Sequence, residues 1–151
     1  MTLVWLLLIG SAGLSVTATQ EQPVTFYVQL IRGTDAATPP SPEARPVGPA
    51  LDQRLRIFKW RNYWEIDRRT VVVKPGGRNR QRLTPQREVE IALTSPRSMT
   101  VSLYNQGKLS RQRKQSANTA FFIAGGDRDN SESWFIVVRR DNPEMAQANL
   151  K

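Results

Sequence analysis

Turn-forming residues cut the chain at intervals of about ten, and most segments between the cuts alternate apolar with polar side chains. A period of two lays one face of a strand against a core. Phe26, Val28 and Leu30 alternate with Tyr27, Gln29 and Ile31 before Gly33. Tyr63 to Lys74 is rich in β-formers and ends at Pro75-Gly76-Gly77, and Arg78 to Thr84 continues beyond that turn, so the two segments read as a hairpin. Val89, Ile91 and Leu93 form one inward row, with Glu88 and Glu90 outward. Met99, Val101 and Leu103 form the next. Asn105-Gln106-Gly107-Lys108 reads as a tight hairpin turn. Leu109 to Gln115 returns as a polar, basic edge strand, since Lys and Arg protect an edge from wrong pairing. Ala120 to Ala124 and Ser133 to Arg140 supply the last strands. Seven or eight short strands in this arrangement predict an all-β protein, an antiparallel β-sandwich or barrel. The first strand is expected to pair with Tyr63–Val73 or with the last strand.

Five prolines fall in residues 34–50. Proline removes a backbone donor and pins φ, so this segment reads as an extended surface loop inside the domain. Pro49 to Phe58 is the one helix the pattern allows. Leu51, Leu55 and Phe58 share a face, and Pro49 suits a first turn. Residues 142–151 are polar and read as a flexible tail, which leaves 19–141 as a single β-rich domain.

Met1 to Ala18 carries no charged side chain, has an apolar core at Leu3 to Ile9, and ends in the small-x-small tripeptide Val16-Thr17-Ala18. This is the shape of a secretory signal peptide cleaved after about Ala18. The apolar run falls short of the roughly 20 residues a spanning helix needs. The expected address is therefore secreted or periplasmic. Cysteine is absent, which suits a bacterial envelope protein better than the disulfide-stapled domains of animal secretions.

Histidine is absent too. No thiolate or imidazole metal site, no thiol nucleophile and no serine–histidine triad is possible. Paired carboxylates remain as a route to catalysis. Glu65 with Asp67, and Glu88 with Glu90, share strand faces, but the arginines beside them make both pairs better salt-bridge partners. The chain reads as a non-enzyme without cofactor or metal.

The balance of 22 basic against 13 acidic residues leaves a net charge of +9. Residues 52–82 hold ten Lys or Arg against three acids, and residues 97–114 hold five against none. Such a field draws in anionic partners, or simply keeps an exported chain soluble. Four constellations stand out. Trp60, Tyr63 and Trp64 amid Lys59, Arg61, Arg68 and Arg69 could stack rings while cations hold anions, though packing where helix meets sheet is the simpler role. Lys74, Arg78, Arg80 and Arg82 would make a basic hairpin, with 78, 80 and 82 on one face. Lys108, Arg111, Arg113 and Lys114 would make a basic edge. Asp127, Asp129, Asn130 and Glu132 bring hard oxygen donors into a polar loop from Gly125 to Glu132. That loop lacks the EF-hand glycine and carries Arg128, so a solvated loop is the stronger reading.

These features point to an exported, non-catalytic module that binds another macromolecule of the cell envelope, a protein first. Docking would use the basic hairpin and a strand added to an exposed edge. Anionic polymers such as lipopolysaccharide, acidic glycan or nucleic acid are the alternative partners, and a carboxylate-based glycan hydrolase is the remote one.

Overall fold

A computed structural model describes residues 22–129 and 132–144. The leader at 1–18, Asn130 and the tail beyond Glu144 lie outside the described residues. Among those described, the chain runs β1 (Val24–Thr34), β2 (Arg45–Pro46), α1 (Pro49–Leu55), a 3₁₀ turn (Arg56–Phe58), β3 (Asn62–Val73), β4 (Arg78–Arg82), β5 (Arg87–Ser95), β6 (Ser98–Asn105), β7 (Lys108–Ser116), β8 (Phe121–Asp129) and β9 (Glu132–Arg139). Two antiparallel sheets form, in the orders β2-β3-β1-β9-β8 and β4-β5-β6-β7. The protein is an all-β sandwich. β1 takes both expected partners at once, β3 on one side and β9 on the other.

Period-two alternation builds the space between the sheets. Phe26, Val28 and Leu30 of β1, with Val71 and Val73 of β3, meet Val89, Ile91 and Leu93 of β5 and Met99 and Val101 of β6. Each fully buried side chain of this size contributes about 1.5–3 kcal/mol of transfer free energy. The opposite face of the five-stranded sheet carries Ile31, Tyr63, Phe135 and Val137, and Leu51 and Leu55 of α1 cover it. That explains why β1 and β9 are apolar on both faces. A seven-residue helix is too short to stand on propensity alone. It is held by those two leucines, which are 1% and 0% exposed.

The segment Pro75-Gly76-Gly77 does not close a hairpin. β3 lies in one sheet and β4 in the other, so the chain crosses between them here. The crossing is tied to β5 by Gly76 N–H to Leu93 O at 2.8 Å and Leu93 N–H to Gly77 O at 2.9 Å. A turn signal marks a change of direction, and the pairing partner is chosen by long-range packing. The basic hairpin is therefore β4–β5, with Lys74 in the crossing. The proline-rich segment carries one more strand than expected, the two-residue β2, paired to Trp64 and Glu65 at the edge of β3. β8 also runs further than its apolar stretch. Asp127 and Asp129 pair in register with Trp134 and Glu132, so Gly125 to Asp129 is strand and not loop.

Two local irregularities shape the surface. In β3, Ile66 is an extra residue between the pairs Leu30–Asp67 and Ile31–Glu65. This bulge reverses the facing of everything before it, sending Glu65 to the helix-covered face. In β7, Ser110 is the extra residue, between the pairs Leu103–Arg111 and Tyr104–Leu109.

Candidate functional site

The aromatic-basic segment splits into unlike parts. Tyr63 is 4% exposed. Its hydroxyl donates to Leu55 O at 2.6 Å and accepts from Trp60 N–H at 3.2 Å. Burial raises its pKa above 10.0. Tyr63 thus staples the end of α1 to β3, and a stacking role for it is corrected to packing. Trp60 is half-buried against the same cluster. Arg61 is exposed, and its backbone N–H donates to Asp35 Oδ1.

Residues 78, 80 and 82 share the outer face of β4, as their alternation requires, and all three are exposed. The register sets Arg82 opposite Glu88 and Arg80 opposite Glu90. Glu88 takes both neighbouring guanidiniums: Arg80 Nε donates to Oε2 at 2.9 Å, and Arg82 donates to Oε1 from Nε and Nη2, each at 3.1 Å. Hydrogen bonds from Arg80, then from Arg82, hold the Glu88 carboxyl below its usual pKa. Arg80 also lies over the Tyr104 ring, 3.6 Å from its centroid. Two of the three arginines of this face are therefore already engaged.

β7 is the contrast. It ends its sheet, and eight of its nine residues are exposed. Lys108, Arg111, Arg113 and Lys114 make no ion pair among the described residues. Leu109, 53% exposed, lies among them. Arg111 and Arg113 stand opposite Leu103 and Val101, on the core-facing side of the sheet. Yet they are exposed, so β7 overhangs the sandwich and is uncovered on both faces.

The end of the sandwich beside the start of β7 holds a different group. The register aligns Trp64, Arg32 and Trp134 across β3, β1 and β9 on the core side of their sheet. Arg32 and Arg87 both lie over the Trp134 ring, 5.5 and 4.8 Å from its centroid. Arg32 pairs with Glu132. Arg87 has no carboxylate partner among the described residues. Between the layers lies a hollow of about 50 Å³, lined by Arg87, Leu103, Asn105, Ser110, Trp134 and Ile136. Gly125 borders it with φ +116°, and a Cβ there would collide with the Trp134 carbonyl. Arg32 Nε and Trp64 Nε1 are buried without an acceptor. A buried donor left unpaired costs about 1–3 kcal/mol.

On the helix-covered face, Gln29 donates to Glu65, and Arg68 Nη2 reaches Glu65 Oε1 at 2.8 Å. These residues sit by an open cleft of about 390 Å³ that also takes in Glu43, Arg45, Asp67 and Glu144. Arg68 bonds Glu144 at 3.2 Å across it. Glu65, Asp67 and Glu144 are thus held by arginine or amide groups. Among the described residues, no three carboxylates converge closely enough to hold a metal ion. Sequence reading missed the Arg32–Trp134–Arg87 group, because its members come from three strands that no local pattern connects. The chain matches no family model, no curated protein and no solved structure.

Proposed function

We propose that this chain is an exported, non-catalytic β-sandwich module that binds a protein of the cell envelope by strand addition along β7. The observation that carries this reading is the state of β7 itself. It is a nine-residue edge strand, uncovered on both faces, with one exposed leucine and four cations that make no ion pair among the described residues. An edge strand offers a row of backbone donors and acceptors to a visiting strand, and proteins ordinarily blunt such edges. Cations alone would serve that purpose, and they equally select an acidic visitor. Leu109 adds apolar area that a purely protective edge does not need. The basic hairpin β4–β5 contributes less than its composition suggests, since Glu88 holds Arg80 and Arg82.

A photocrosslinking amino acid at position 109, in cells that make the protein, tests this. The expected result is a covalent adduct with a discrete protein. A fourfold variant reversing Lys108, Arg111, Arg113 and Lys114 to Glu should lose that adduct while keeping its melting temperature. An adduct indifferent to charge reversal overturns the reading. So does an adduct with nucleic acid or glycan, whose affinity would instead fall steeply with salt.

A further inference from the structure

We infer that the turn after α1 is a membrane-docking tip, whose Ile57 enters the interface of an anionic bilayer while the cations around it meet the lipid headgroups. This goes beyond the β7 reading and does not rest on it. β7 edges the four-stranded sheet, whereas α1 and its turn cap the outer face of the five-stranded one.

Ile57 is 75% exposed, more than any other large apolar side chain among the described residues. A lone aliphatic group on a surface is ordinary, but Ile57 has company. α1 is too short to seal the cluster beneath it, and Val47, Phe58 and Trp60 lie only partly buried at its rim. The tip is also held from below. Phe58 packs on Phe135 with ring centroids 4.6 Å apart, and the Tyr63 hydroxyl bonds both Leu55 O and Trp60 N–H. Trp60 lies so close to Gly33 that a Cβ there would stand 2.7 Å from the indole. Lys59 then turns the chain at φ 65°, its N–H donating to Arg56 O. A non-glycine residue persists in that conformation only where its surroundings fix it. Ile57 is therefore presented by an ordered backbone, and little ordering is left to be done on docking.

Arg54, Arg56, Lys59 and Arg61 are all exposed and flank Ile57 along the chain. Two acids answer them. Asp52 meets Arg56 in an exposed bridge at 3.2 Å, a kind of pair that competes weakly with other anions. Asp35 accepts the backbone N–H of Arg61. Lys59 and Arg61 make no ion pair among the described residues. Four cations against two acids leave the tip positive. Further off, Arg139 answers Asp141, and Arg68 answers Glu65 and Glu144. Asp127 and Asp129 pair with Trp134 and Glu132, in rows on the core side of the sheet. An aliphatic tip with aromatic groups behind it and cations around it matches the layers of a bilayer surface, from acyl boundary to phosphate. A protein interface asks for about 800 Å² per partner around a buried apolar core. One protruding aliphatic side chain is an anchor and not such a core.

The chain has no cysteine, so Ile57→Cys offers a single attachment point for the environment-sensitive dye nitrobenzoxadiazole. Leu109→Cys, labelled alike, is the comparison on β7. Every variant keeps the whole chain, so contributions from outside the tip are shared. Vesicles of phosphatidylcholine are set against vesicles that also contain phosphatidylglycerol. The dye at 57 should brighten and shift to shorter wavelength on the anionic vesicles alone, and the dye at 109 should not. Lys59→Asn combined with Arg61→Gln should raise the lipid concentration for half of that response by about tenfold or more. Asn tolerates the left-handed backbone at 59, so the melting temperature should hold. Added sodium chloride should weaken the response with the cations intact. No response at 57, an equal response at 109 or on neutral vesicles, or indifference to both the cation variant and salt overturns the proposal. A photocrosslinker at 57 that captures a protein while vesicles stay inert also overturns it and reassigns the patch to a protein. None of these outcomes bears on the β7 crosslink.

Discussion

Strands β4 and β7 close opposite edges of one sheet and are almost equally basic, yet their charge is spent differently. β4 lies beside β5, where the register brings Glu88 within reach of both Arg80 and Arg82. β7 lies beside β6, whose facing residues are Thr100, Val101, Ser102 and Leu103, and none of these can answer a cation. The lesson is that a count of arginines does not measure available charge. What the neighbouring strand presents at the same register does.

The sharpest way to probe this difference runs along a single row across the sheet. Asn79, Ile91, Val101 and Arg113 occupy it in turn. Ile91→Ala should cost about 2–5 kcal/mol in denaturant unfolding. Arg113→Ala, in the same row but beyond the cover of the other sheet, should cost less than about 0.5 kcal/mol. A large loss at Arg113 would mean that β7 is part of the core and would dissolve the contrast. Next in size is the functional divide. Reversing the β7 cations to Glu should weaken partner binding by about tenfold or more, whereas reversing Arg78, Arg80 and Arg82 should lower the melting temperature more than the binding.

A pH series sharpens the β4 side. The folded-state pKa of Glu88 lies below its ordinary 4.5, chiefly through the hydrogen bond from Arg80 and then that from Arg82. A depressed carboxylate contributes stability that is present above the unfolded value and lost as pH falls through the folded one. Wild type should therefore melt above Glu88→Gln at pH 6, and the gap should close on descending below about pH 4.5. The mildest effect is expected at Tyr104→Leu, which removes the ring under Arg80. A loss of about 0.5–1 kcal/mol is expected there, with no change in docking at β7.

The inner rows of β5 and β6 could be read from the chain because their alternation is unbroken from Val89 to Leu93 and from Met99 to Leu103. The turn at Gln106 and Gly107 was legible for a local reason, since both residues adopt positive φ, at 50° and 76°. The helix was legible from Leu51 and Leu55, both of which face the sheet. The crossing at Pro75-Gly76-Gly77 was not, because the same residues serve a hairpin and a change of sheet. Nor was the bulge at Ile66, which moved Glu65 into a buried bond with Gln29. Of the candidate site, the edge character of Lys108 to Lys114 was legible and the engagement of Arg80 and Arg82 was not. Alternation reports which side a residue faces, and it carries no word about who stands opposite.

The first strand of the chain sits in the middle of its sheet, hydrogen-bonded on one flank to β3 and on the other to the last strand, β9. During synthesis, β1 emerges early and can zip to β3 soon afterwards, but its second flank must wait for nearly the whole remaining sequence. Until then one flank of β1 keeps its backbone donors and acceptors open to any strand that is near. Maturation of this molecule is thus a race between late closure and wrong pairing, and holding factors that keep nascent chains apart are the helpers it would need most.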